Sequence, residues 1–306
     1  MDTSSYTPKH INFNKLQISS LKFKIIRSEE SFLMLKSLTL IFLSVIIYFH
    51  SAEVVGEAAP ARSMGDTAAF KSQDSDLFRY RINETLNTTE KGQHSAITPV
   101  PCSEWAAKRC ELVMQRSKSA PGDYDIEFIG DSITDYWERE GVEVWKEFYG
   151  HRKTINLGVT ADRTQHVLWR IQNGQLDGIN PKIAVVLIGT NNTKNAINSE
   201  QEILEGVSMV VDQIRKRQPH TKILLLGIFP CGPTFSERRG KILQVNQALA
   251  KLDNGKNVFY LDVGFKFIDE DGSISNSIMP DGVHLSDVGY RIWATSMEPK
   301  LQQLLN

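Results

Sequence analysis

From Pro101 to the C-terminus, short continuous apolar runs alternate with stretches whose apolar residues recur every three or four positions. The runs Ile126 to Ile129, Thr154 to Leu157, Ile183 to Ile188, Lys222 to Phe229 and Val258 to Val263 are the length of strands and rich in branched residues. Between them, helical spacing covers Ser103 to Ser117, Val142 to Tyr149, Arg163 to Asn173, Ser199 to Arg217, Ser236 to Leu252 and Ser286 to Leu305. Strands that are apolar on both faces and separated by helices predict an α/β fold. The expected architecture is a doubly wound, parallel, five-stranded sheet with helices on both faces. No internal repeat interrupts it, so residues 101–306 are expected to form one domain.

The N-terminal third has a different pattern. Residues 1–33 show no sustained period, and Met34-Leu35-Lys36 then leads into an apolar run from Leu38 to Phe49 broken only by Thr39 and Ser44. About a dozen apolar residues behind a lysine fit a signal-peptide core better than a spanning helix of about 20. Residues 34–56 are therefore read as a signal peptide or signal anchor, which predicts export and allows membrane attachment only through that segment. Either Met34 is the biological start and residues 1–33 are an untranslated extension, or the segment anchors a chain with a short tail. Residues 57–100, rich in Ala, Ser, Thr, Glu, Asn and Gln, read as a poorly ordered linker. Asn83-Glu84-Thr85 and Asn87-Thr88-Thr89 within it are glycosylation sequons.

Charge and cysteines narrow the function classes. A net charge of −1 without a Lys/Arg cluster in the second half argues against a nucleic-acid partner. Cys102, Cys110 and Cys231 are too few for a disulfide framework and lack the CxxC spacing of a metal or redox site. Cys102 and Cys110 can pair only if the chain between them turns back, and Glu104 to Val113 reads as helix.

The segments after successive strands converge on one edge of such a sheet, so they are read together. The first strand ends in Gly130-Asp131-Ser132; then come Asn156-Leu157-Gly158-Val159, Gly189-Thr190-Asn191-Asn192 and, before the last helix, Asp281-Gly282-Val283-His284. Alone, Gly-Asp-Ser is ordinary turn chemistry with a capping serine, and Asp-x-x-His occurs by chance. Together they make an acyl-transfer set. Ser132 would be the nucleophile, His284 its general base, and Asp281 the group that orients and stabilises the imidazole. The N–H groups of Ser132 and Gly158 and the side-chain amide of Asn191 would form a three-donor oxyanion hole. Asp131 and Asp162 are read as supports of the Ser132 loop rather than substrate ligands. Cys231, after the fourth strand, is placed to line the pocket as a structural thiol. Trp137, Trp145 and Trp169 fit helix packing better than a sugar-stacking platform.

These four blocks resemble the signatures of the SGNH (GDSL) hydrolase family, whose catalytic letters would fall on Ser132, Gly158, Asn191 and His284. The likeness covers about Cys102 to Leu305. It is greatest to the platelet-activating-factor acetylhydrolase catalytic-subunit group and its bacterial relatives, through His166-Val167-Leu168-Trp169-Arg170, Asn173-Gly174 and Gln218-Pro219. The resemblance implies a flavodoxin-like sheet, ester hydrolysis, no metal and no organic cofactor. One departure stands out: relatives often carry Gly-Gly-Asp or Ser-Gly-Asp where this chain has Thr160-Ala161-Asp162.

The leading expectation is a serine esterase acting on short-acyl esters, acetyl above all, of a small molecule or glycan. A phospholipid-type acetylhydrolase and a non-catalytic module binding a glycan or phosphate on the same fold are the alternatives.

Overall fold

The computed structural model describes residues 94–306; the segment 34–56 read as a signal peptide or anchor, residues 1–33 and the sequons lie outside the described residues. Five parallel strands form one sheet: β1 (Gly122–Gly130), β2 (Thr154–Asn156), β3 (Ile179–Leu187), β4 (Lys222–Leu226) and β5 (Val258–Leu261). Their order is β2-β1-β3-β4-β5. This is the flavodoxin-like arrangement, in which the chain reverses its winding direction beside β1 and opens a crevice at the strand ends. Ile126 pairs with Thr154 of β2 and with Ile183 of β3, which sets the register around the central strand.

Period-two alternation sorts the strand residues between two apolar layers. Ile126, Phe128, Val185, Leu187, Leu224 and Leu226 face one side, while Ile129, Ala184, Val186, Ile223 and Leu225 face the other. The first layer is covered by α3 (Val142–Tyr149) and α7 (Asp287–Leu305), with Trp137, Tyr149 and Trp293 packed around Phe128 and Tyr290 against Trp137. The second is covered by α1 (Ala107–Ser119), α4 (Thr164–Gln172), α5 (Glu200–Arg217) and α6 (Glu237–Leu249). The short α2 (Ser132–Asp135) follows β1 directly. Trp137 is fully buried, as packing rather than sugar stacking requires.

Two boundaries differ from the sequence pattern. Residues 94–100, read as linker, dock on the domain. Ala96 is buried, its carbonyl accepts the Thr164 hydroxyl at 2.7 Å, and His94 Nε2 meets Glu205 at 2.7 Å. One buried alanine and scattered polar contacts leave no apolar period to find. Cys102 and Cys110 are joined by a disulfide, with Cα atoms 6.4 Å apart. The helix proper begins only at Ala107 after a 3-10 turn over Glu104–Ala106, so Cys102 lies ahead of the helix and can fold back.

Candidate active site

Gly130 ends β1 because nothing larger fits: a Cβ there would lie 2.1 Å from Thr134 Oγ1 and 2.5 Å from the Leu187 carbonyl. The chain turns at once into α2, capped by Asp131 Oδ1, which accepts the Ile133 N–H at 3.0 Å. Tyr290 of α7 donates its hydroxyl to the Ile133 carbonyl at 2.7 Å and ties this turn to the core. Ser132, 5% exposed, is thus presented on a one-turn helix at the crevice.

His284 reaches it from the loop before α7. Its Nε2 lies 2.8 Å from Ser132 Oγ, and its Nδ1 lies 2.6 Å from Asp281 Oδ2. The other Asp281 oxygen accepts the backbone N–H groups of Val283 and His284 at 2.9 and 2.7 Å, closing a tight turn. Partial burial works against ionising Asp281, but the ring and backbone donors of His284 and Val283 outweigh it and hold the carboxyl below its usual range. With Asp281 ionised and accepting at Nδ1, Nε2 is left as the proton acceptor toward Ser132. Ser132, His284 and Asp281 are therefore brought together in the order the sequence predicts.

Gly158 is not. Its N–H already donates to Asn156 Oδ1 at 2.9 Å, and its Cα is wedged where a Cβ would come 2.4 Å from the Asp135 nitrogen. The glycine lets the loop after β2 pass close under α2 and does not offer a free donor. Three residues on, Ala161 stands at φ 62°, left-handed backbone that a residue with a Cβ rarely adopts. Asp135 accepts both the N–H and the hydroxyl of Thr160, Asp162 N–H closes the turn onto Val159 O at 3.1 Å, and the Ala161 N–H between them has no acceptor among the described hydrogen bonds. Asn191 joins this loop, donating one amide hydrogen to the Asp162 carbonyl at 2.9 Å and keeping the other free.

Asp131 and Asp162, read as supports of the loop, are both buried. Asp162 accepts Arg170 Nε and Nη2 at 2.9 and 2.7 Å, while Arg170 Nη1 donates to the Leu157 carbonyl at 3.1 Å. Burial pushes the Asp162 carboxyl up to about 6 against the pull of Arg170, which leaves it ionised at neutral pH. His166 lies 3.7 Å from the same carboxylate, but burial lowers it to about 4 and its Nδ1 accepts the Arg163 N–H, so this is no ion pair. Burial, reinforced by Asp162 though opposed by the Ile133 N–H, raises Asp131 to about 7, and its Oδ2 has no partner. Cys231 packs in the core with its thiol pushed up by burial, and it is not among the residues walling the cleft beside the triad.

Several residues around the site were given no role by the sequence. Arg109 and Arg116, two turns apart on α1, grip the loop after β2: Arg109 Nε donates to the Gly158 carbonyl at 2.9 Å and Arg116 Nη1 to the Asn156 carbonyl at 2.8 Å. Both also bind Glu138; burial opposes its ionisation, yet the two guanidinium groups hold it down to about 2. Asn192 locks the N-terminus of α4 to the loop after β3 through Thr164, Gln165 and Asn198. The seven-residue spacing of the two arginines is the one signal the sequence holds for this clamp. A cleft of about 570 Å³ opens beside the triad, walled by Tyr136, Glu140, Pro280, Leu285 and Asp287.

Residues 128–292 match the model of the GDSL-like Lipase/Acylhydrolase family. Human platelet-activating factor acetylhydrolase IB subunit alpha2 is 35% identical over 202 residues, covering 66% of this chain and 85% of that protein. The human alpha1 subunit is 35% identical over 220 residues, covering 70% and 92%. Among solved structures, a Streptococcus pneumonia protein described as a platelet activating factor superposes with a TM-score of 0.53 at 25% identity, over 64% of this chain and 94% of its own. A Bacteroides fragilis protein described as an acylhydrolase shares the fold with a TM-score of 0.54 at 18% identity, over 67% and 100%.

Proposed function

This chain belongs to the GDSL-like lipase/acylhydrolase family and is a carboxylic ester hydrolase, and we propose that it cleaves short-acyl esters, acetyl esters above all, through a Ser132 acyl-enzyme. The observation that carries the mechanism is the unbroken relay from Ser132 Oγ to His284 Nε2 at 2.8 Å and from His284 Nδ1 to Asp281 at 2.6 Å. In the first half-reaction Ser132 Oγ attacks the ester carbonyl as His284 Nε2 takes the hydroxyl proton, and Asp281 stabilises the resulting imidazolium. The carbonyl oxygen becomes an oxyanion. Three donors are suited to receive it: the Ser132 N–H, the Ala161 N–H and the free amide hydrogen of Asn191. Collapse breaks the bond to the alcohol oxygen, which leaves with the proton from His284. Water then attacks the acyl-enzyme, giving up a proton to the same nitrogen, and Ser132 is regenerated.

The acetyl preference is supported by the acetylhydrolase names of the human relatives. Two observations support export: the apolar segment behind Lys36, and a disulfide of the kind that persists in oxidising compartments. Outside the cell, acetylated glycans and small acetyl esters are the substrates within reach. The test is rapid mixing of the purified protein with p-nitrophenyl acetate, with mass spectrometry of the quenched enzyme. A burst and an added acetyl on the Ser132 peptide are expected; no burst and no turnover by a protein with native circular dichroism would overturn the reading.

A further inference from the structure

Ser132 is the first residue of α2 and Tyr136 caps its C-terminal end, its N–H returning to the Ser132 carbonyl. Residues four apart lie on one helical face, so whatever Ser132 faces, Tyr136 faces too. That partner is His284. Ser132 Oγ meets the ring edge at Nε2, and the Tyr136 ring covers the ring face, with centroids 4.9 Å apart and planes 28° from parallel. Trp137, one residue on, turns instead into the core and is fully buried, whereas Tyr136 stays half-buried at the cleft. The Arg139 guanidinium sits 4.4 Å from the Tyr136 ring centroid, and the Arg139 backbone N–H donates to the Tyr136 carbonyl at 2.9 Å.

We propose that Tyr136 is a positioning residue, whose stacked ring holds the His284 imidazole plane so that Nε2 stays aimed at Ser132. The need for it follows from exposure. The His284 side chain is 31% exposed and its partner Asp281 is 56% exposed, so water competes for the hydrogen bond that would otherwise fix the ring. A hydrogen bond at Nδ1 fixes one point of the imidazole, and a stacked ring restricts rotation about the axis through that point. Carrying that restraint on the helix that bears the nucleophile makes Ser132 and the His284 plane move together.

This proposal rests on His284 acting as the base, and the test keeps the two apart. The variants are Tyr136→Leu, Tyr136→Met of similar length, and Tyr136→Phe, which keeps the ring, each accepted when its near-ultraviolet circular dichroism matches the parent. Tyr136→Leu and Tyr136→Met are expected to lower kcat by about 10- to 100-fold, the scale of a small misplacement of reacting groups, with KM within about twofold. Inactivation by a small fluorophosphonate, which reads Ser132 activation without the ester's alcohol, slows by the same factor. The far-downfield proton resonance of the His284–Asp281 hydrogen bond broadens as well. Tyr136→Phe stays within about threefold of the parent on every readout. A rise in KM with kcat and inactivation unchanged would make Tyr136 a cleft wall only and overturn the proposal, as would a Tyr136→Phe variant as impaired as Tyr136→Leu. Ser132→Ala is the separate control: turnover that survives it sinks the mechanism itself, whereas its loss beside an unaffected Tyr136→Leu sinks this proposal alone.

Discussion

Ala161 holds a backbone conformation at φ 62° that costs a residue with a Cβ on the order of 1–2 kcal/mol. The neighbouring anchors, Thr160 on Asp135 and Asp162 on Arg170, hold the turn in place against that cost. Ala161→Gly should therefore leave the loop and its N–H where they are. The expected outcome is kcat/KM within about twofold of the parent and a melting temperature unchanged or a few degrees higher, the relief being partly offset by glycine's extra chain entropy of about 0.5–1 kcal/mol. Gly158→Ala, by contrast, drives a Cβ to within 2.4 Å of the Asp135 nitrogen and should destabilise the domain by several degrees in the same melting experiment. Removing the Asn191 amide by Asn191→Ala should reduce kcat by about 10²- to 10³-fold if it serves the oxyanion, measured against the same acetyl ester. This pair also marks where residue types stopped being informative. Ser132, His284, Asp281 and Asn191 were legible as candidates because the proposed chemistry asks for those side-chain types. A backbone donor has no residue type, and glycine is as often chosen for close packing, its role at Gly158, as for presenting an N–H.

At the scale of elements, apolar patterning located all five strands and the six longer helices of the described domain; it missed the one-turn α2, too short to show a period, and its other errors are at the ends. β1 starts at Gly122, not Ile126: Gly122, Asp123 and Tyr124 pair with Ile179, Asn180 and Pro181 of β3, while Asp123 and Asp125 on either side of the buried Tyr124 break the apolar run. The clamp on the β2 loop left only the arginine spacing to read, for a different reason: Arg109 and Arg116 find Gly158, Asn156 and Glu138 only after α1 has been laid across the sheet. The buried Arg170–Asp162 pair is the joint between α4 and the Ala161 loop. Arg170→Met would leave Asp162 buried and unpaired, a loss of about 3–5 kcal/mol, or roughly 10 °C in melting temperature for a domain of this size. Differential scanning calorimetry checks it, and a shift under 2 °C would show that the carboxylate finds water or protonates instead.

At the scale of the whole molecule, acid groups with raised pKa values among the described residues dominate the predicted pH dependence of stability near neutrality. Burial raises Glu127 to about 8, Asp131 to about 7 and Asp162 to about 6. A carboxyl raised above its unfolded value favours the folded state fully in acid, below about pH 4, and that favour is lost as pH climbs through the folded value. Glu127, far from the site on β1 with only Gln218 Nε2 at 3.2 Å as partner, isolates the effect. The parent should lose on the order of a few kcal/mol between pH 5 and pH 9, and Glu127→Gln should flatten that loss. Urea midpoints at the two pH values check this; parallel curves for parent and variant would remove Glu127 as the source. At the low end the sign reverses, because Glu138, held at about 2, and His166, lowered to about 4, favour the folded state less as acid protonates them.

The Cys102–Cys110 bridge also bears on how the protein reaches its final covalent form. Three thiols can join in three ways, but two of those ways require Cys231, which is 2% exposed behind β4 with its thiolate disfavoured by burial. The remaining pair is eight positions apart in the chain and closes a short loop early. Once the sheet has formed, Cys231 is withdrawn from exchange, so oxidation of the folded protein has a single product and needs no isomerase to correct it.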